Sequence, residues 1–172
     1  MPIPFNPRTW VAALLVLFAV PALAICPPPI FAGHIRVGAD PVHCQAYDIQ
    51  SAINLAGICA VIIDITRDNS YIHQHLTIDN KPNITLQGWG DGVTCADIPN
   101  GDPFGTPYTP PASTQPLVTL DGSNGGRVLT ITGNSNVGLR NLTVTGGQTD
   151  DSASGGGISF DGQGSLYLTN SL

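Results

Sequence analysis

Leu129, Ile131, Val137 and Leu139 set out a spacing of apolar residues that Ile158, Phe160, Leu166 and Leu168 repeat, and Leu76, Ile78, Ile84 and Leu86 give a third copy. Within each copy the apolar residues fall at every second position, the period of a strand with one buried face. A polar turn, at 79–83, 132–136 or 161–165, divides each copy into two such runs. Asn141 and Asn170 follow the last apolar residue of their copies by the same step. A unit this small cannot bury its apolar face alone, so the pattern predicts short strands stacked copy upon copy.

Other stretches fit around that repeat. After Val137 and Leu139, the pair Leu142 and Val144 predicts a third strand, with Arg140-Asn141 as a tight corner where Asn tolerates the left-handed backbone and where stacked Asn side chains could bond. Val61–Ile65 reads as a buried strand. Residues 47–56 form the one good helical window: Ile49, Ala52, Ile53 and Ala56 share a face, Asp48 is placed to cap the start and Gly57 to end it. The expected task of this helix is to cover the open apolar end of the first coil. Residues 25–46 lack periodicity and predict an extended lead-in. The step from Leu76 to Leu129 is much longer than that from Leu129 to Ile158, and the surplus contains Pro99, Pro103, Pro107, Pro110 and Pro111. Proline cannot donate to a central ladder, so 88–116 is expected to loop outside the stack, with 117–120 completing the interrupted coil.

Composition supports an all-β chain. There is no Glu, Lys81 is the sole lysine, and the 20 glycines suit turns better than helices. The N-terminus reads as an export signal: Arg8, an apolar run over 10–20 too short to span a bilayer, then Pro21 and the small-residue site Ala22-Leu23-Ala24. Cleavage there leaves one domain, 25–172, with no transmembrane segment. A net charge of −6, more negative once Arg8 is removed, argues against nucleic acid, anionic lipid and other polyanionic partners. Export places Cys26, Cys44, Cys59 and Cys95 in an oxidising compartment, where two disulfides with three possible connectivities are expected. We expect Cys95 to tie the loop back to the N-terminal region, with Cys44–Cys95 and Cys26–Cys59 the preferred pairing. No cysteine pair has the spacing of a zinc site.

Three strands per coil, the Asn corner, the Gly155-Gly156-Gly157-Ile158 re-entry and a helix opening Ile49-Gln50-Ser51-Ala52-Ile53 together resemble the exported bacterial right-handed parallel β-helix proteins of the pectate-lyase-like superfamily. Thr119-Leu120-Asp121-Gly122 and Leu139-Arg140-Asn141-Leu142-Thr143-Val144-Thr145-Gly146-Gly147 are similar to segments that recur in them. The resemblance runs from about Val37 to the C-terminus. It implies a right-handed parallel β-helix of about three coils with an N-terminal capping helix, and it implies little about activity, because this fold hosts lyases, hydrolases, adhesins and proteins with no chemistry.

A polysaccharide lyase of this kind would need clustered carboxylates for calcium and a nearby arginine base. Asp79 and Asp161 stand on outward positions but are separated by the coil holding Thr132, which is sparse for an ion that takes six to eight oxygens. Both also suit turns, so no cofactor is expected, and they remain candidate binding residues. Arg140 as a base is disfavoured by its place at a turn. Of the motifs a polygalacturonase-like hydrolase needs, only Asp150-Asp151 is present, and no histidine accompanies it. His73 and His75 make two-thirds of a metal site at best. Trp89, Phe104 and Tyr108, in or beside the inserted loop, could stack on sugar or could instead peg the loop to the stack. The resulting expectation is an exported scaffold or adhesin-like protein presenting a polar sheet surface for glycan or protein contact. The alternative is a polysaccharide lyase or hydrolase that is incomplete or degenerate. The third strand of the last copy stops before a residue matching Val144, so a C-terminally incomplete β-helix, or one associating through its last coil, is expected.

Overall fold

The computed structural model describes residues 33–57, 60–67, 71, 74–98, 118–149 and 155–172. Among these residues the strands are β1 (His34–Val37), β2 (Val61–Ile65), β3 (Leu76–Asp79), β4 (Ile84–Gly88), β5 (Val118–Asp121), β6 (Leu129–Thr132), β7 (Asn134–Arg140), β8 (Leu142–Thr145), β9 (Ile158–Phe160) and β10 (Gln163–Thr169), with helix α1 (Ile49–Leu55) between β1 and β2. They form three sheets, ordered β1-β2-β4-β7-β10, β3-β6-β9 and β5-β8. Every pairing among them is parallel. The chain is therefore all-β in parallel sheets, with little helix.

The ladders follow the apolar repeat residue for residue. Leu76, Leu129 and Ile158 are register partners, as are Ile78, Ile131 and Phe160. Ile84, Val137 and Leu166 align in the large sheet, followed by Leu86, Leu139 and Leu168. Val118 and Leu120 pair with Leu142 and Val144. Inward residues of all three sheets, Leu168 apart, belong to one core, and each fully buried Leu or Ile contributes about 1.5–3 kcal/mol relative to exposure. A one-residue slip would turn a whole ladder outward, so the repeat fixes the register.

Two expectations need correction. The supposed lead-in contains β1, and β1, not the helix, stands first among the described residues and at the outer edge of the large sheet. Helix α1 is consequently not an N-terminal cap. It does have the expected amphipathic face, with Ile49, Ala52 and Ile53 buried, and the expected cap, since Asp48 accepts from the Ser51 N–H at 2.8 Å. It packs against β1, β2 and β3. Gln50 joins it to β3 by accepting from the Thr77 N–H at 2.8 Å and donating to the Thr77 carbonyl at 3.1 Å. The second and third polar turns are shorter than the pattern suggested, because β7 begins at Asn134 and β10 at Gln163. Ser135 enters β7 buried because its hydroxyl donates to the Thr132 carbonyl and accepts from the Lys81 N–H, and a satisfied hydroxyl is cheap to bury.

Asn141 and Asn170 make the corners, at φ 55° and 49°, a region costly for most side chains. Asn170 Nδ2 donates to Asn141 Oδ1 at 2.9 Å, so the corners bond along the stack. Of the 88–116 insertion, residues 88–98 are described. Cys95 is buried and forms a disulfide with Cys44, while Arg36 donates to the Cys95 and Ile98 carbonyls, laying this segment over the start of the large sheet. Cys26, Cys59, Phe104, Tyr108, His73, Asp150, Asp151 and the export signal lie outside the described residues. Among the described residues no helix is long and apolar enough to cross a membrane.

Candidate ligand-binding groove

Alternation sends every second residue of the large sheet outward, and the ladder sets these residues in rows across the strands. One row runs His34, Ile62, Thr85, Gly138, Tyr167. A groove of about 400 Å³ lies along it. Five strands at their usual spacing make the row about 19 Å long. Gly138, fourth in the row, carries no side chain and is covered by Thr85: a Cβ there would stand 2.9 Å from Thr85 Oγ1. Tyr167, 65% exposed, closes one end. Arg140, on the next outward row, lines the same side and is exposed.

The other end holds His34 and Asp64. Asp64, on β2, is fully buried beneath the segment that begins at Trp89. Its Oδ1 accepts from Trp89 Nε1 at 2.8 Å and Gln87 Nε2 at 3.0 Å, and its Oδ2 meets His34 Nδ1 at 2.6 Å. A carboxylate already holding two N–H donors offers His34 an acceptor, so Nδ1 carries a proton, and in the neutral form of the ring Nε2 keeps its lone pair. The His34 side chain is 13% exposed and lines the groove. Packing and the second-sphere carboxylate thus fix both the orientation and the tautomer of this imidazole.

The residues singled out from sequence sit elsewhere. Trp89 is 3% exposed, with its indole N–H bound to Asp64. It pegs the loop to the sheet and offers no open face to a ligand. Asp79 accepts from Thr132 Oγ1 at 2.8 Å and from Asn80 Nδ2 at 3.0 Å, whereas Asp161 accepts from Ser159 Oγ at 2.7 Å. The two carboxylates serve separate local bonds on the small sheet and do not converge. Among the described residues no group of three or more His, Cys or Asp side chains is placed to hold a metal ion. His75 Nδ1 donates to the Arg127 carbonyl at 2.9 Å. Arg140 alone of the weighed residues lines the groove.

His34, Asp64, Thr85 and Tyr167 were not singled out by the pattern. His34 fell in the aperiodic lead-in, and Thr85 and Tyr167 look like any outward strand residue. Asp64 did carry a signal: a lone carboxylate within the apolar run Val61–Ile65 must find donors when the strand is buried. No protein-family model matches the chain, and none of the curated proteins or solved structures does either.

Proposed function

We propose that this chain is an exported right-handed parallel β-helix protein, akin to the pectate-lyase-like superfamily, whose large sheet presents its outward face to glycan. The β-helix reading rests on three parallel sheets that share one apolar repeat and one core, with Asn corners bonded from copy to copy. Export rests on the N-terminal signal pattern, and the Cys44–Cys95 disulfide is consistent with an oxidising compartment. Mass spectrometry of the secreted protein should find a chain beginning at Ile25, and retention of residues 1–24 would remove the export reading. The observation that carries glycan contact is the groove itself, where the exposed Tyr167, the Thr85 hydroxyl and the Arg140 side chain line one trough. Flat rings beside hydrogen-bonding groups suit the two kinds of surface on a sugar.

A glycan array followed by calorimetry tests this. Tyr167→Ala should weaken binding roughly two- to tenfold, the range of an aromatic contact worth about 0.5–1.5 kcal/mol. Full binding in that variant, or no binding by wild type, would remove the reading. The alternative, a degenerate or incomplete polysaccharide lyase or hydrolase, draws support from the His34–Asp64 pair at the groove. Formation of unsaturated products or reducing ends from pectate and related glycans, with or without calcium, would favour it. We also propose that copies of the chain associate through β9 and β10.

A further inference from the structure

The glycan reading leaves open which sugars the groove accepts, and the His34 end answers that question. We propose that the groove takes neutral, hydroxyl-rich oligosaccharides laid across the strands and rejects uronates, with His34 Nε2 as the discriminating atom. This rests on the glycan-contact reading above. Asp64 is held as a three-fold acceptor by Trp89 Nε1, Gln87 Nε2 and His34 Nδ1. In the neutral form of the ring, to which the proposal applies, the proton is thereby committed to Nδ1, and a bare lone pair is left on the side away from Asp64, where His34 lines the groove.

A sugar hydroxyl donates to such a lone pair. A carboxylate has no proton to give and meets it lone pair to lone pair, losing water without gaining a bond. The buried negative charge of Asp64 stands behind the ring and adds to the rejection in a region water does not screen. Arg140 pulls the other way, but it is exposed on β7, three strands from β1, where solvent screens its attraction. The net charge of −6 further disfavours a polyanionic chain. Rejection at the His34 end therefore prevails for a uronate polymer, which places a carboxylate on every unit.

The tautomer can be inverted without moving the ring. In Asp64→Asn the amide oxygen still accepts from Trp89 and Gln87, while its NH₂ faces His34 Nδ1. Nδ1 must then accept, and the proton moves to Nε2, turning the groove wall into a donor. In His34→Gln the side-chain amide can present either an oxygen or an NH₂ to the ligand.

The test is calorimetry at about pH 7.5, where free imidazole is mostly neutral, with cello-, xylo- and mannohexaose set against hexagalacturonate. Wild type should bind at least one neutral hexasaccharide, and bind it at least about tenfold more tightly than hexagalacturonate. Asp64→Asn should bring that ratio close to one, chiefly by admitting hexagalacturonate. His34→Gln, which leaves the buried carboxylate and its share of the rejection in place, should lower the ratio part of the way and guards against a misfolded Asp64 variant, with thermal unfolding checked for both. Wild-type binding of hexagalacturonate equal to or tighter than that of the neutral chains would overturn the proposal while leaving glycan contact standing. Unchanged selectivity in the folded variants would overturn it too. Binding of no glycan would end both readings.

Discussion

Asn141 supports the stack in two separable ways: its backbone is in the left-handed region at φ 55°, and its side chain accepts from Asn170 Nδ2 at 2.9 Å. Asn141→Ala loses both and should destabilise the protein by about 1–3 kcal/mol, combining the left-handed penalty with a lost hydrogen bond. Asn141→Gly relieves the backbone and loses only the side-chain bonds, that from Asn170 and a long one of 3.5 Å to the Gly88 carbonyl, so it should cost about 1 kcal/mol. Urea unfolding of the two variants separates the terms, and equal stabilities would mean that the backbone conformation contributes nothing. This corner was legible because its asparagine recurs at a fixed step after an apolar pair. The His34–Asp64 pair was not, since its two members come from segments with no shared spacing and meet only through the β1–β2 register. Trp89 misleads for a related reason: an aromatic beside an inserted loop suits a peg or a platform equally, and only burial decides.

At the scale of elements, the disulfide depends on two turns. In one, Asp40 accepts from the Val42 N–H and pairs with the His43 ring, and the Cys44 N–H bonds the Asp40 carbonyl. In the other, Asp97 accepts from both the hydroxyl and the N–H of Thr94, beside Cys95. These bonds hold both carboxyls below their ordinary value: for Asp40 the Val42 N–H first and then His43, for Asp97 the Thr94 hydroxyl first and then its N–H. A depressed folded value gives stability that is fully present above the unfolded value, about 3.9, and is lost as pH falls through the folded one. The double variant Asp40→Asn, Asp97→Asn should therefore be less stable than wild type at pH 6, with the gap closing below about pH 4. Urea midpoints across that range check this, and a gap that is flat with pH would show the carboxylates are not the source. The disulfide itself, with a sequence separation of 51, restricts the unfolded chain by about 4 kcal/mol in the chain-entropy picture. The pairing was anticipated from the need to tie down a long loop. The helix was legible as an amphipathic element but not in its place, because β1 is too short to show a period and its partner β2 comes only after the helix.

Across the whole molecule, the two ends of the stack are treated differently. At one end the edges are blunted: β1 carries the Gln45-Ala46 segment, whose N–H groups bond the Arg36 carbonyl, and β3 carries Gln50 across Thr77. At the other end, β9 and β10 are the outer strands of their sheets, and among the described residues nothing pairs with their free sides. Core positions are laid open there. Leu168 aligns with the fully buried Leu139, yet it is 57% exposed, and Leu172 beyond it is 79% exposed. Unpaired edge groups beside uncovered leucines make a template for another chain. In the self-association proposed above, a second copy would supply its own β9–β10 edge and its own leucines. Sedimentation velocity of the folded protein should accordingly show a weight-average mass rising with concentration. Leu168→Lys puts a charge where the core is open and a lysine on the edge, a device natural sheets use to stop pairing. That variant should sediment as a monomer at every concentration while keeping its unfolding midpoint under dilute conditions, since the side chain it replaces is already in water. Wild type that stays monomeric at high concentration would show that the bare edge does not recruit a second copy.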